Sequence, residues 1–186
     1  MKLLLVSLLL VSSNYILSGQ SLGVRGGYTK YSTSQIPSAT GNTIEAYLVF
    51  DSITPYSEIM LSYGHSNLQG YSDWFKSEVD ISTRNIQCAW QRITPIKDKF
   101  QILVGGSFNY LITFIQYAHS RGVSENLKHH IGPGLYTGLC YGKTAGLPFG
   151  IELTAGSMIF YPDDWEDPLP YVLNVQLGIT YSLYKK

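Results

Sequence analysis

Apolar and polar residues alternate with a period of two along most of the chain from residue 22 onward. The alternation is clearest between Phe100 and Phe114, where even-numbered residues are apolar or Gly and most odd-numbered residues are polar or Gly. A helix would instead repeat its apolar residues every three or four positions. The pattern therefore predicts strands. It recurs in eight stretches, at about residues 22–29, 44–50, 59–63, 77–93, 100–114, 133–141, 149–161 and 171–183.

Long polar segments and tight turns alternate between these strands. Segments rich in Ser, Thr, Gly and Asn occupy 32–42, 66–76 and 117–126, whereas 51–55 and 94–98 are short turns. In an antiparallel meander this alternation collects the long loops at one end. Eight strands are enough to close a sheet and remove its free edges. We therefore predict an all-β fold, an eight-stranded antiparallel up-and-down β-barrel.

Two kinds of exported barrel are compatible with this alternation. A soluble lipocalin-like carrier has an apolar interior, whereas a transmembrane barrel turns its apolar side chains to lipid and its polar ones inward. Aromatic residues flank the apolar stripes, as at Phe100 and Phe114 or Tyr171 and Tyr181, which is typical of the two membrane interfaces. The opposite face is too polar for an apolar ligand cavity, so the pattern favours the transmembrane barrel. This polar face carries Arg25, Glu45, Glu58, Asn85, Gln87, Gln91, Asn109, Glu152, Asn174 and Gln176.

The composition agrees with a barrel and argues against a nucleic-acid partner. Only 14% of the 186 residues are charged, while 13% are aromatic, including 15 Tyr, and 18 are Gly. Aromatic and β-branched residues favour strands. Lys and Arg together number 13, which equals the number of Asp and Glu, and they form no basic cluster. The electrostatic footprint of nucleic-acid binding is therefore lacking.

The first residues are interpreted as a secretory signal peptide. Lys2 precedes a short apolar run over residues 3–11, and the chain then becomes polar before Gly19. The run is shorter than the roughly 20 apolar residues of a spanning helix. We predict a signal peptide over residues 1–19 and an outer-membrane β-barrel domain over residues 20–186.

The alternating strands, the polar inner face and the final strand resemble the small outer-membrane barrels of the OmpX/OmpA type from Gram-negative bacteria. The last strand, Tyr171 to Tyr184, is similar to the C-terminal assembly signal of these barrels, although the chain ends with Lys185 and Lys186. The resemblance implies a monomer in the cell outer membrane, in contact with membrane lipid and lipopolysaccharide. It also implies four external loops that meet an external ligand or surface, in a structural or adhesive role.

A polar face that points inward would fill the lumen of such a barrel. Eight strands leave room for side chains but not for a water-filled pore. Arg25 would then lie among Glu45, Glu58 and Glu152, and buried charges must be paired. We predict a structural polar network at these four residues.

Histidines suggest an alternative function at the external rim. His65, His119, His129 and His130 lie beside predicted long loops. Some barrels of this size are lipid A acyltransferases or deacylases, which place His, Ser and an acidic residue near the outer leaflet. If this chain resembles them in function, its candidate catalytic residues are His65, Ser66, His119 and His130. However, the deacylases separate their His and Ser by one residue on a late strand, whereas His65 and Ser66 are adjacent and early. We therefore predict that the protein is not an enzyme and binds no cofactor. We predict no metal site either, because the adjacent His129 and His130 point to opposite faces of a strand.

An acidic segment lies before the last strand. It contains Asp163, Asp164, Trp165, Glu166 and Asp167 and is flanked by prolines. We interpret it as an external acidic loop that is solvated or presented to a partner. It lacks the Gly spacing of a calcium-binding loop.

The two cysteines are not expected to form a disulfide. Cys88 and Cys140 fall on the fourth and sixth predicted strands, about 9–10 Å apart, whereas bridged Cα atoms lie within about 7 Å.

Overall fold

Eight antiparallel strands form a closed barrel in the computed structural model. The strands are β1 Ser21–Ser32, β2 Ser38–Asp51, β3 Ser57–Ser72, β4 Ser77–Lys97, β5 Phe100–His119, β6 Gly122–Tyr141, β7 Phe149–Ile159 and β8 Tyr171–Ser182. Each strand pairs with its neighbours in the chain, and β1 closes the barrel against β8. The predicted up-and-down topology is confirmed. The structure describes residues 21–52, 54, 56–74, 76–97, 99–119, 122–142, 148–161 and 169–183, with only the backbone at 118–119 and 122–124.

The barrel has two distinct ends, which we name by the chain termini. The terminal end holds Ser21 of β1 and Ser182 of β8, and the distal end lies opposite. Among the described residues, no helix is long and apolar enough to cross a membrane.

Alternation along each strand decides which side chains face the interior. On β1, Arg25 and Thr29 are buried, whereas Leu22 and Val24 are exposed. Large apolar side chains face outward on every strand and form a belt around the barrel. On β8, the outward-facing Leu177 is 61% exposed. A lipocalin-like carrier would need this stripe inside, so that alternative is wrong.

Several strands continue further at the distal end than the sequence predicted. β3 runs through Ser72, β5 ends at His119 and β6 begins at Gly122, so residues 66–72 and 117–126 belong largely to strands rather than loops. β2 likewise begins at Ser38, within the loop predicted over residues 32–42. The prediction of four long external loops is therefore wrong for the first three. Polar side chains can be solvated while their backbone groups stay paired in the sheet, so a loss of apolar residues does not end a strand.

The polarity of the two faces reverses in the distal part of the long strands. On β3 the outward residues change from apolar, as at Leu61, to polar, as at Asn67 and Gln69, while the inward Leu68 is buried. β4 follows the same rule, since Ile81 is buried. The lumen is therefore polar around Arg25 and largely apolar at the distal end. Its buried cluster consists of Tyr31, Ile36, Ala39, Leu68, Val79, Ile81, Leu111, Ile115, Tyr117, Met158, Phe160 and Val172.

The cysteines occupy opposite faces of the sheet. Cys88 on β4 is exposed, Cys140 on β6 is buried, and β5 lies between the two strands. The predicted strand order, with one strand between the two cysteines, is confirmed.

Candidate functional site

The middle of the lumen contains an ion pair built by three strands. Arg25 on β1 lies directly opposite Glu45 on β2 in the sheet register, and its Nη2 donates a hydrogen bond of 2.7 Å to Glu45 Oε1. Glu152 on β7 lies in the same row of the sheet, beyond Gly178 of β8, with its Oε1 3.9 Å from Arg25 Nη1. The Arg25 guanidinium also lies 5.2 Å from the ring centre of Tyr47. These side chains are almost completely buried, so the charges must stabilise one another.

Neutral polar groups donate further hydrogen bonds to the two carboxylates. Gln176 Nε2 donates to Glu45 Oε2 at 3.1 Å, and Thr180 Oγ1 donates to Glu152 Oε2 at 3.4 Å. Thr180 in turn lies 2.8 Å from the hydroxyl of Tyr47. The network joins β1, β2, β7 and β8, which are the strands that close the barrel. Its arrangement is typical of a structural core.

Glu58 lies apart from this ion pair. Its Oε2 accepts a hydrogen bond of 2.6 Å from Gln91 Nε2, and Gln91 Oε1 accepts one of 2.7 Å from the Tyr136 hydroxyl. Of the four charged residues predicted as one network, Arg25, Glu45 and Glu152 meet in one row, and Glu58 is joined to Gln91 nearer the terminal end.

Side chains occupy the middle of the lumen around Arg25 and Glu45. Two cavities formed there by described residues have volumes of about 30 Å³ and 10 Å³, which is space for individual waters. Asn85 lines the larger cavity, and its Oδ1 has no partner within the described chain. A water there would satisfy this atom.

The structure does not bring together those predicted catalytic residues whose side chains it describes. His65 faces the outer wall with its Nδ1 3.0 Å from the Thr83 carbonyl oxygen, whereas the adjacent Ser66 faces the lumen and donates to Thr43 Oγ1 at 2.9 Å. His130 is buried in the lumen, with its ring centre 6.0 Å from that of Phe160.

The remaining predicted residues lie partly or wholly outside the described part of the chain. The backbone of His119 pairs with Gly122 at the distal tip, and its side chain is outside the described set. The acidic segment 163–167 and the predicted signal peptide over residues 1–19 lie outside the described residues. Within the described ranges, no three His, Cys, Asp or Glu side chains could hold a metal ion.

Aromatic pairs mark the edges of the apolar belt. At the terminal end, the rings of Phe100 and Tyr141 lie 4.9 Å apart, and those of Phe149 and Tyr181 lie 5.2 Å apart. These pairs occupy the positions of an interfacial girdle.

A groove of about 510 Å³ lies on the outer wall between the belt and the distal end. It is formed where outward side chains of β2, β3, β4 and β5 come into register. One row across the sheet contains Thr40, Gln69, Asp80 and Gln116, and the row nearer the belt contains Asn42, Asn67, Ser82 and Phe114. The groove was not apparent from the sequence, because Thr40, Asn42, Asn67 and Gln69 were predicted to lie in loops. Their period-two spacing was the signal that could have found them.

Comparisons with known proteins identify the architecture. No protein-family model matches the chain, and no curated protein matches it. Among solved structures, it is similar to the Neisserial surface protein A, with 12% identity and a TM-score of 0.68 over 87% of this chain and 96% of that one. Outer membrane protein OprG from Pseudomonas aeruginosa has 15% identity and a TM-score of 0.60, with coverages of 88% and 96%.

A third similar structure is Ail, the attachment invasion locus protein of Yersinia pestis. It has 10% identity and a TM-score of 0.54, and the match covers 90% of this chain and all of Ail. Identities this low establish a shared fold alone. The chain therefore has the fold of the small eight-stranded outer-membrane β-barrels, which confirms the predicted architectural resemblance.

Proposed function

We propose that this protein is an outer-membrane barrel that anchors a sheet of paired strands outside the membrane for contact with external molecules. The reversal of face polarity on the long strands is the observation that carries the proposal. Within the belt the large apolar side chains face outward, whereas in the distal part of the long strands most outward side chains are polar and an apolar cluster lies inside. If water surrounded the whole barrel, apolar side chains would be expected on the inner face along its entire length.

The belt has the height of a bilayer core. On β8 the stripe from Tyr171 to Tyr181 spans ten residue steps, or about 33 Å along a strand at about 3.3 Å per residue. A tilt of about 40° reduces this to about 25 Å, the height of the apolar band of such barrels. Exposing each large aliphatic side chain of the belt to water would cost about 1.5–3 kcal/mol. Lipid is therefore the medium in which this surface is stable.

Over the described residues, the distal part of the barrel is a paired sheet rather than a set of loops. Its inner face packs into the buried apolar cluster that includes Leu68 and Ile115. Its outer face carries polar pairs, such as Gln69 with Asp80 at 3.2 Å and Gln116 with Glu125 at 3.0 Å. Such a surface suits adhesion or another interaction role.

We assign no catalytic role to the chain. His65 and Ser66 lie on opposite faces of β3, and His130 is inside the lumen. In this arrangement no nucleophile lies beside a general base among the predicted rim residues whose side chains are described. Residues 1–19 are proposed to direct export and then to be removed.

Membrane fractionation and electrophoresis test the proposal. The chain should fractionate with the outer membrane, and its unboiled band in SDS should migrate faster than the boiled one. In a Cys88→Ser background, Glu125→Cys at the distal end should react with a membrane-impermeant maleimide on intact cells, whereas Lys97→Cys at the terminal end should not. A soluble chain without a heat shift, or labelling of Lys97→Cys alone, would contradict the proposed function or its orientation.

A further inference from the structure

We infer that the groove on the outer wall binds a cationic side chain, Arg or Lys, on an extended segment of a partner protein. The inference rests on the proposed function and deepens it, since it needs the sheet beyond the belt to face the external medium. The groove supplies three things that such a segment requires, which are a negative charge, an aromatic surface and amide groups for the peptide backbone.

Asp80 gives the groove its negative charge. It is exposed and is the one charged residue among the described residues that line the groove. Gln69 Nε2 donates to Asp80 Oδ1 at 3.2 Å, which restrains the carboxylate. Within the described residues both ion pairs involve Arg25 in the lumen, so no cation of the chain is paired with Asp80. Lys30 on β1 lies three strands away, about 14 Å, which exceeds the Debye length of about 10 Å at 0.1 M salt.

An aromatic ring lies beside this carboxylate. Phe114 on β5 pairs with Ser82, which is the outward neighbour of Asp80 on β4. Phe114 and Asp80 are therefore diagonal neighbours across the two strands, about 7–8 Å apart. Phe114 is 39% exposed, so a guanidinium or ammonium held by Asp80 can also lie over the face of its ring. A neutral side chain would gain neither attraction.

Side-chain amides supply the hydrogen bonds that a peptide backbone needs. Asn42, Asn67 and Gln116 are exposed residues of the lining, and each offers amide donors and an amide acceptor. The volume of about 510 Å³ lies within the usual range of pockets that enclose a whole small ligand. The groove therefore has room for a cationic side chain together with the adjoining backbone, rather than for an isolated amino group.

The surrounding charges favour a partner from the external medium over the amino group of a lipid. Arg84 lies one outward position closer to the belt than Ser82, so it would repel a cationic headgroup that approached from the membrane. Glu78 is the next outward residue of β4 beyond Asp80, and Glu125 lies two strands from Asp80 in the same row. These carboxylates attract a cation that arrives from the distal side.

Fluorescence anisotropy of a labelled peptide tests the inference, with the full-length chain refolded in a neutral detergent. One probe is a hexapeptide of alternating Arg and Thr, and the other is the same peptide with neutral citrulline in place of each Arg. We expect the wild-type chain to bind the Arg peptide about tenfold more tightly than the citrulline peptide, or by about 1.4 kcal/mol.

Three variants assign this preference to the groove. Asp80→Asn should weaken binding of the Arg peptide by about tenfold and leave the citrulline peptide unaffected. Glu125→Gln is the matched control, because it removes the same charge from the same row but outside the groove, and it should have a smaller effect. Phe114→Leu keeps an apolar side chain but removes the ring, and it should weaken binding of the Arg peptide by about threefold.

Equal affinities of the wild-type chain for the two peptides would overturn the inference. Equal losses in Asp80→Asn and Glu125→Gln would also overturn it, because they would indicate a general attraction to the acidic wall. Displacement of the peptide by phosphatidylethanolamine in the micelles, but not by phosphatidylglycerol, would assign the groove to a lipid headgroup instead. If one of these results occurs while the wild-type chain keeps its heat shift and its outer-membrane fractionation, only this inference fails, whereas their loss defeats the proposed function.

Discussion

Replacing Arg25 with Met should destabilise the barrel more than any comparable change at an exposed arginine. The substitution keeps a long unbranched side chain but leaves Glu45 and Glu152 buried without their cation. Because the described cavities beside Arg25 and Glu45 have room for individual waters, bulk solvent does not replace the guanidinium.

The magnitude follows from the two distances. At an effective dielectric constant of about 20, unit charges at 2.7 Å and 3.9 Å attract by about 6 and 4 kcal/mol. Desolvation of the three groups offsets much of this attraction in the wild-type chain. Removing one partner of a buried pair typically costs about 3–5 kcal/mol, and we expect Arg25→Met to lie in that range.

Urea unfolding in phospholipid vesicles, followed by tryptophan fluorescence and by the gel shift, measures the difference. Arg84→Met is the matched control, since Arg84 is exposed on the outer wall. Its free energy of unfolding should stay within about 0.5 kcal/mol of the wild-type value. The double variant Arg25→Met/Glu45→Met should recover part of the loss, because one of the uncompensated carboxylates is gone.

Equal free energies of unfolding for Arg25→Met and Arg84→Met would refute this prediction. It would also fail if the losses from Arg25→Met and Glu45→Met simply added in the double variant, since residues in one ion pair must couple.

The remaining predictions concern the belt and the closure of the barrel. Leu177→Arg, in the middle of the β8 stripe, should cost about 2–4 kcal/mol of folding free energy in vesicles, whereas Leu183→Arg near the interface should cost about 0–1 kcal/mol. Equal costs in the same urea titration would disprove a lipid-facing belt. Gly27→Ala should block closure between β1 and β8, because its Cβ would lie 1.9 Å from the carbonyl oxygen of Val175. At Gly106 the nearest atom is 3.9 Å away, so Gly106→Ala should fold normally. The fraction of heat-modifiable protein after refolding compares the two, and a folded Gly27→Ala barrel would show that this contact is not required.

Local alternation was sufficient to predict the strands of the belt and their faces. Arg25 and Leu22 were assigned to opposite faces from sequence, and they lie there in the structure. This works because neighbouring side chains of a strand must point to opposite sides, whatever the rest of the fold does. The distal parts of several strands were predicted as loops for a physical reason. Beyond the lipid, outward residues such as Asn67 are polar, so the outward apolar residues that indicate a strand are no longer present.

The sequence by itself determined an eight-stranded barrel with an apolar outer belt. Each strand is recognised from the alternation of its own residues, and the number of such strands can be counted along the chain. Only the tertiary structure decided which distant residues meet. Closure and register bring Glu152 within reach of Arg25 and join Glu58 to Gln91. The same register assembles the groove from four strands. Such contacts depend on the stagger between strands, which alternation within a single strand does not encode.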